Sequence, residues 1–167
     1  MKNYCYFVEG QDEKKIIDTL KTELKLIQPG KVQIVNPVQE RIKASRLNSL
    51  TMDTTIILVF DTDTSSAQIL IQNINFIKSR PNISKVVCIT QVRNLEDELL
   101  RSCSISHIRE LTNSKSDREY KSDLIKISNL ANRLNACGFE QSKFWAKQAS
   151  GVFGQIVNQA DEIRKIR

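Results

Sequence analysis

Acidic residues stand where the apolar runs of this chain stop. Glu9 directly follows Tyr4 to Val8 (YCYFV), Asp61 directly follows Thr55 to Phe60 (TIILVF), and Asp63 comes two residues later. Carboxylates drawn together raise one another's pKa unless a cation neutralises them. An oxygen-only donor set of this kind suits the hard cations Mg2+ and Mn2+. Glu13, four residues after Glu9, sits one helical turn on and faces the same mouth. Gly10 has no Cβ, so backbone or substrate can come close. The chemistry these residues offer is metal-assisted work on an anionic group, provided the fold gathers them.

The elements that must gather them are legible as alternation. Tyr4 to Val8 reads as a first strand. From Asp12, Ile16, Ile17, Leu20, Leu24 and Ile27 recur at helical spacing, and Pro29-Gly30 is the expected breaker. Val32 to Val35 reads as a short second strand, and Gln39 to Leu50 as a weakly striped helix. Thr55 to Phe60 is an unbroken β-branched and aromatic run, the habit of a parallel strand buried on both faces. Ile69, Leu70, Ile74 and Ile77 carry a further helix, and Ser84 to Thr90 (SKVVCIT) a fourth strand. Strands separated by helices make βαβ units, whose right-handed crossovers cover both sheet faces. The expected fold is α/β: a Rossmann-like, mainly parallel four-stranded sheet over residues 1–103, with a helical C-terminal extension over 104–167 packed on it. In such a sheet, ligands collect outside the carboxyl ends of the strands where the strand order reverses. If strands one and three are neighbours there, Glu9, Asp61 and Asp63 converge.

Leu95 to Cys103 reads as a short helix, and in the extension Ser104 to Lys121 reads as a polar loop or mobile segment. Leu124 to Ala136 reads as a helix stopped by Gly138. Phe139 to Lys147 and Val152 to Ile166 read as two further helices. The charge is +6 overall, with Lys and Arg outnumbering Asp and Glu by 10 to 6 in residues 115–167 and by 15 to 13 before them. The positive excess therefore leans toward the tail, and it tilts the partner toward an anion. No apolar run approaches the ~20 residues of a membrane span, and the opening residues read as a strand rather than a secretory leader. Four scattered cysteines, Cys5, Cys88, Cys103 and Cys137, and a lone His107 give no zinc spacing. They read as reduced thiols of a cytoplasmic protein.

The two motifs Val8-Glu9-Gly10-Gln11-Asp12-Glu13 and Val59-Phe60-Asp61-Thr62-Asp63 together resemble the TOPRIM domain, over residues 4 to about 100. That family includes topoisomerases, primases, OLD-type nucleases and a ribosomal-RNA maturase. The resemblance implies that Glu9 works as a general acid or base and that Asp61 and Asp63 hold Mg2+. In the nuclease branch an acid at the position of Glu13 joins a second metal site; Asp12 reads as a helix cap. The implied cofactor is Mg2+, with Mn2+ as its substitute. The implied activity is phosphoryl transfer on a DNA or RNA backbone by a small nuclease, with Glu9, Asp61 and Asp63 catalytic and Glu9, Glu13, Asp61 and Asp63 around the metal. A topoisomerase would need a tyrosine-bearing second domain, and a primase a zinc module. Neither is here.

The alternative, from a different class, is a non-catalytic TOPRIM-like module that binds nucleic acid or a partner protein in a defence or repair assembly. Leu58 to Thr64 also fits the Asp-x-Asp-x-Thr signature of haloacid-dehalogenase phosphatases. That family puts the motif on its first strand and needs a later Lys and a second acidic pair; here a full βαβα precedes it. Arg93, Lys115, Arg118 and Lys121 are the candidate nucleic-acid contacts. Glu96, Asp97 and Glu98 read as the acidic first turn of a helix. Phe139, Phe144 and Trp145 read as residues sealing the tail against the sheet rather than stacking on bases.

Overall fold

The computed structural model describes residues 2–166; the outermost residue at each end of the two predicted units, 1 and 167, lies outside them. The apolar run read as the third strand is Thr54–Asp61 (β3), buried along its length up to Asp61 itself. It pairs in parallel with Asn3–Val8 (β1) on one side and Ile83–Gln91 (β4) on the other, and Lys31–Ile34 (β2) pairs with the far side of β1. The sheet is all parallel, in the order β2-β1-β3-β4. The chain leaves β1 toward β2 and leaves β3 toward β4, so the crevice between their carboxyl ends is the switch point. The β1–β3 ladder runs to Phe7 opposite Leu58.

Strand side chains alternate between two apolar layers. Tyr6, Val8, Ile57, Val59, Val87 and Ile89 face Gln11–Asp18 (α1), Leu95–Ser102 (α4), Tyr120–Lys126 (α6) and Leu130–Ala136 (α7). Cys5, Phe7, Ile56, Leu58, Phe60, Val86 and Cys88 face Ala44–Asn48 (α2) and Gln68–Lys78 (α3). Travel from β1 to β2 goes one way under α1. Travel from β2 through α2 and α3 to β4 goes the other way on the opposite face, which is how a chain keeps one crossover hand. This is the Rossmann-like α/β architecture expected.

Three helices depart from the sequence reading. The first helix does not run to Pro29-Gly30: α1 passes into a π-helical turn, Thr19–Glu23, and stops there. Residues 25–28 are taken by the tail instead, where Gln28 donates to the Ile163 carbonyl and Lys165 to that of Leu26 (both 2.9 Å). Of the helix read over Gln39 to Leu50 only α2 forms. The preceding loop is held by the buried Asn73, which accepts from Ile42 N–H (2.9 Å) and donates to the carbonyls of Pro37 and Glu40 (2.8 Å each). The helix read over Leu124 to Ala136 is two, α6 and α7, parted by an extended Ile127. Gly138 does stop α7: at φ 69° its N–H reaches the Asn135 carbonyl and that of Phe139 reaches Leu134, the paired closure that favours glycine.

The segment read as a mobile loop carries a one-turn helix, Arg109–Thr112 (α5), with Ile108 and Leu111 buried. Arg133 pins it by donating to the carbonyls of Leu111 and Glu110.

The largest departure is the tail. Phe139 to Lys147 and Val152 to Ile166 form no α-helix, only turns and two short 3-10 pieces, Gly151–Phe153 and Ala160–Glu162. The outer edge of β4 explains this. Gln159 donates its N–H to the Cys88 carbonyl (2.8 Å) and accepts the Cys88 N–H at its side-chain oxygen (3.0 Å). A regular helix spends its backbone groups internally and could not cap an edge this way. Phe144 and Trp145 do seal the tail against the core, their rings tilted at 34° with centroids 4.4 Å apart.

All four cysteines are free and buried, two in each apolar layer: Cys5 and Cys88 on one face, Cys103 and Cys137 on the other. Burial pushes the thiols of Cys5, Cys88 and Cys103 up to about 11. Among the described residues no helix is long and apolar enough to cross a membrane.

Candidate metal centre

Glu9, Glu13 and Asp61 meet at the switch point, each offering a carboxylate oxygen within 4.8 Å of the others. Each arrives by a different route. Glu9 is the first residue after β1, and Asp61 is the last residue of β3 rather than the first beyond it. Glu13 comes from the first turn of α1, where the helix N-terminus favours negative charge. Gly10 makes the approach of α1 feasible: a Cβ there would stand 3.0 Å from Asp12 Oδ1 and 3.2 Å from Glu13 Oε2. Asp63 does not join the three. It stands exposed at the rim, near enough that its charge raises Glu9 and Asp61.

Burial is the first cause of the electrostatics here. It pushes the Glu9, Asp61 and Glu13 carboxyls above the ordinary range. Asp61 rises further beside the Glu9 charge, with which it shares a hydrogen bond, and Glu13 rises further by sharing a proton with Asp12. Burial also works against the Asp12 charge, but that shared proton and the Lys121 ammonium outweigh it and hold Asp12 low. The four acids thus interact chiefly as two pairs, Glu9 with Asp61 and Asp12 with Glu13.

The helical extension reaches the site through α6. Lys121 Nζ lies 3.2 Å from Glu96 Oε1 and 3.5 Å from Asp12 Oδ2. Burial opposes its charge, yet Glu96, Asp12 and Glu13 raise its pKa. Next to it, Tyr120 is 1% exposed and its hydroxyl has no hydrogen-bond partner. Of the other candidate nucleic-acid contacts, Arg93 is exposed and pairs with Asp97 (3.3 Å). Lys115 and Arg118 are exposed on the segment entering α6.

Three supporting residues escaped the sequence reading. Gln91, the last residue of β4, donates from Nε2 to Asp61 Oδ1 (2.7 Å). Thr62 stitches β3 to the loop beyond β4: its hydroxyl donates to the Gln91 carbonyl and accepts from Arg93 N–H (3.0 Å each). Glu98, read as one of three acids in a first turn, is fully buried. It pairs with Arg101 (2.6 Å) and accepts the N–H groups of Val92 (2.9 Å) and Trp145 (2.8 Å). The signal for Glu98 was present: Leu95, Glu98, Leu99 and Ser102 make one helix face, and a lone acid on such a face needs buried partners.

The donor set fits a hard divalent cation. Ligand distances of about 2.1 Å allow facing oxygens of an octahedral Mg2+ to lie about 4.2 Å apart. The three carboxylate oxygens lie within 4.8 Å of one another, and gathering them on one ion would draw them closer. One expected result tests the electrostatics. Groups whose folded pKa is raised hold protons that the unfolded chain releases above about pH 4. Their contribution to stability is therefore present at low pH and lost as pH rises. Asp12, held low, acts in the opposite sense only near and below that pH. In EDTA the melting temperature falls between pH 5 and pH 8, and excess Mn2+ reverses the trend because cation binding releases the protons. Melting curves at fixed ionic strength read this directly, and a flat EDTA profile contradicts the buried-acid picture.

No family model matched the chain, and neither curated proteins nor solved structures gave a match.

Proposed function

We propose that this chain is a small Mg2+- or Mn2+-dependent nuclease of the TOPRIM type, carrying out phosphoryl transfer on DNA or RNA. One observation carries the reading: three carboxylates from β1, α1 and β3 converge within 4.8 Å at the switch point of a parallel sheet. Glu9, Glu13 and Asp61 would hold the cation, with Asp63 at the rim. The ion supplies polarisation of the phosphate and stabilisation of the attacking and leaving oxygens.

The chain's own residues do the rest. Glu9 is only half-buried, and its carboxyl already exchanges a hydrogen bond with Asp61. As general base it would take a proton from an incoming water, the leaving oxygen being stabilised by the cation. Gln91 and Thr62 hold the β3 end still while this happens. Arg93, Lys115, Arg118 and Lys121 provide positive charge for the flanking phosphates.

A second reading is supported by a specific observation. The chain brings its own cation to the acids, with the Lys121 ammonium 3.5 Å from Asp12 Oδ2 and 3.2 Å from Glu96 Oε1, as befits a module that binds nucleic acid or a partner protein and cuts nothing. Buried free thiols agree with a reducing, cytoplasmic setting in either case. Labelled DNA and RNA incubated with the protein separate the readings. The nuclease reading expects cleavage in Mn2+ and none in EDTA. Intact substrates in Mn2+, together with binding that survives Asp61→Asn, would establish the binding module instead.

A further inference from the structure

The tail does more than cover the β4 edge. Trp145, the sole tryptophan, donates from Nε1 to Gln91 Oε1 (3.3 Å), and Gln91 donates in turn to Asp61 Oδ1 (2.7 Å). Both intermediaries are sealed from solvent, Gln91 at 1% and Trp145 at 3% exposure. An indole N–H only donates, so it fixes which way the Gln91 amide faces: oxygen toward Trp145, nitrogen toward Asp61. One Asp61 oxygen, Oδ1, is thereby tied to the Gln91 amide, in the same carboxylate that meets Glu9 and Glu13 within 4.8 Å.

Trp145 is itself over-determined. Its backbone sits at φ 55°, which a bulky residue seldom adopts. It is held there by its N–H on Glu98 Oε2 (2.8 Å) and by Asn158 Nδ2 on its carbonyl (2.7 Å). Strained backbone of this kind persists where the surroundings enforce it, and such places cluster at working sites.

We propose that the C-terminal segment is a working part of the cation site, with Gln91 and Trp145 as positioning residues that fix the Asp61 carboxylate for a divalent cation. This rests on the cation reading given above. Two distant parts of the sequence thus hold the Asp61 carboxylate from behind, and outer partners of this kind are worth about 10–100-fold in metal affinity.

The test is Mn2+ affinity of the full chain, measured from the electron paramagnetic resonance of free Mn2+. Gln91→Met keeps the side-chain length and removes the amide; its affinity falls about 10–100-fold. Trp145→Phe keeps an aromatic ring, frees the amide to turn, and gives a smaller loss in the same direction. It also decides the matter if Gln91→Met does not fold. A mere packing role leaves a further signal unmoved: in the parent the Trp145 indole N–H resonance shifts on adding Mg2+, and in Gln91→Met it does not. A folded Gln91→Met, or failing that a folded Trp145→Phe, that binds Mn2+ as tightly as the parent overturns the positioning role and leaves the cation site standing. A parent that binds no Mn2+ overturns the cation reading and this proposal with it.

Discussion

Asp61→Asn abolishes metal-dependent cleavage, with a loss of about 10³-fold or more, and leaves the metal-free protein at least as stable as its parent. The two halves of this result have one cause. Asp61 is a carboxyl held beside a second carboxyl: desolvation first, and then the Glu9 charge, push it up. Removing one preorganised electrostatic partner of a transition state costs about 10²–10³ in rate, and here the change also removes a ligand. Asparagine keeps an oxygen to accept from Gln91 Nε2 while discarding the like charge next to Glu9. Loss of function with no loss of stability is the mark of a residue retained for chemistry. Cleavage rates in Mn2+ and melting curves in EDTA, on one preparation, check both halves. A variant that cuts at the parental rate removes Asp61 from the mechanism.

Glu98→Leu gives the opposite pattern, a stability loss of about 3–5 kcal/mol with cleavage failing only as the fold fails. Glu98 is fully buried and serves three partners: the Arg101 guanidinium and the N–H groups of Val92 and Trp145. Leucine fills the space and satisfies none of them. Removing one side of a buried ion pair costs about 3–5 kcal/mol, and orphaned buried N–H groups add to it. For a chain of this size that is a drop of roughly 10 °C or more in melting temperature. Urea denaturation of parent and variant measures it; a change below about 1 kcal/mol would show that solvent reaches Glu98 and that the tail is not anchored there.

The legible part of this molecule is the part governed by local pattern. Thr55 to Phe60 announced a strand buried on both faces, and the position of Glu9 and Asp61 at strand ends followed from it. Gly138 announced a helix stop because only a left-handed residue closes the chain there. The tail was not legible, because its form is dictated by a partner far away in sequence. Phe144 and Val152 have helical company, but Gln159 is drawn off to the Cys88 edge 71 residues back. Gln91 was invisible for the same reason: nothing near position 91 says that an amide at a strand end will lie between Asp61 and Trp145. Asp63 stands apart from the other three acids. The Asp-x-Asp spacing puts both acids at one strand end, but two residues of loop carry the second outward to solvent while Glu13 takes the inner place.

The four thiols offer a clock. Each is shielded in the native state, so a thiol reagent reports openings of the structure rather than its surface. Because two lie on either side of the sheet, mass-resolved labelling tells which layer opens first. Modification at Cys103 and Cys137 before Cys5 and Cys88 would mean that the helices carrying Lys121 lift away from α1 while the α2 and α3 side stays shut. The acidic crevice would then gain its entrance from one side only.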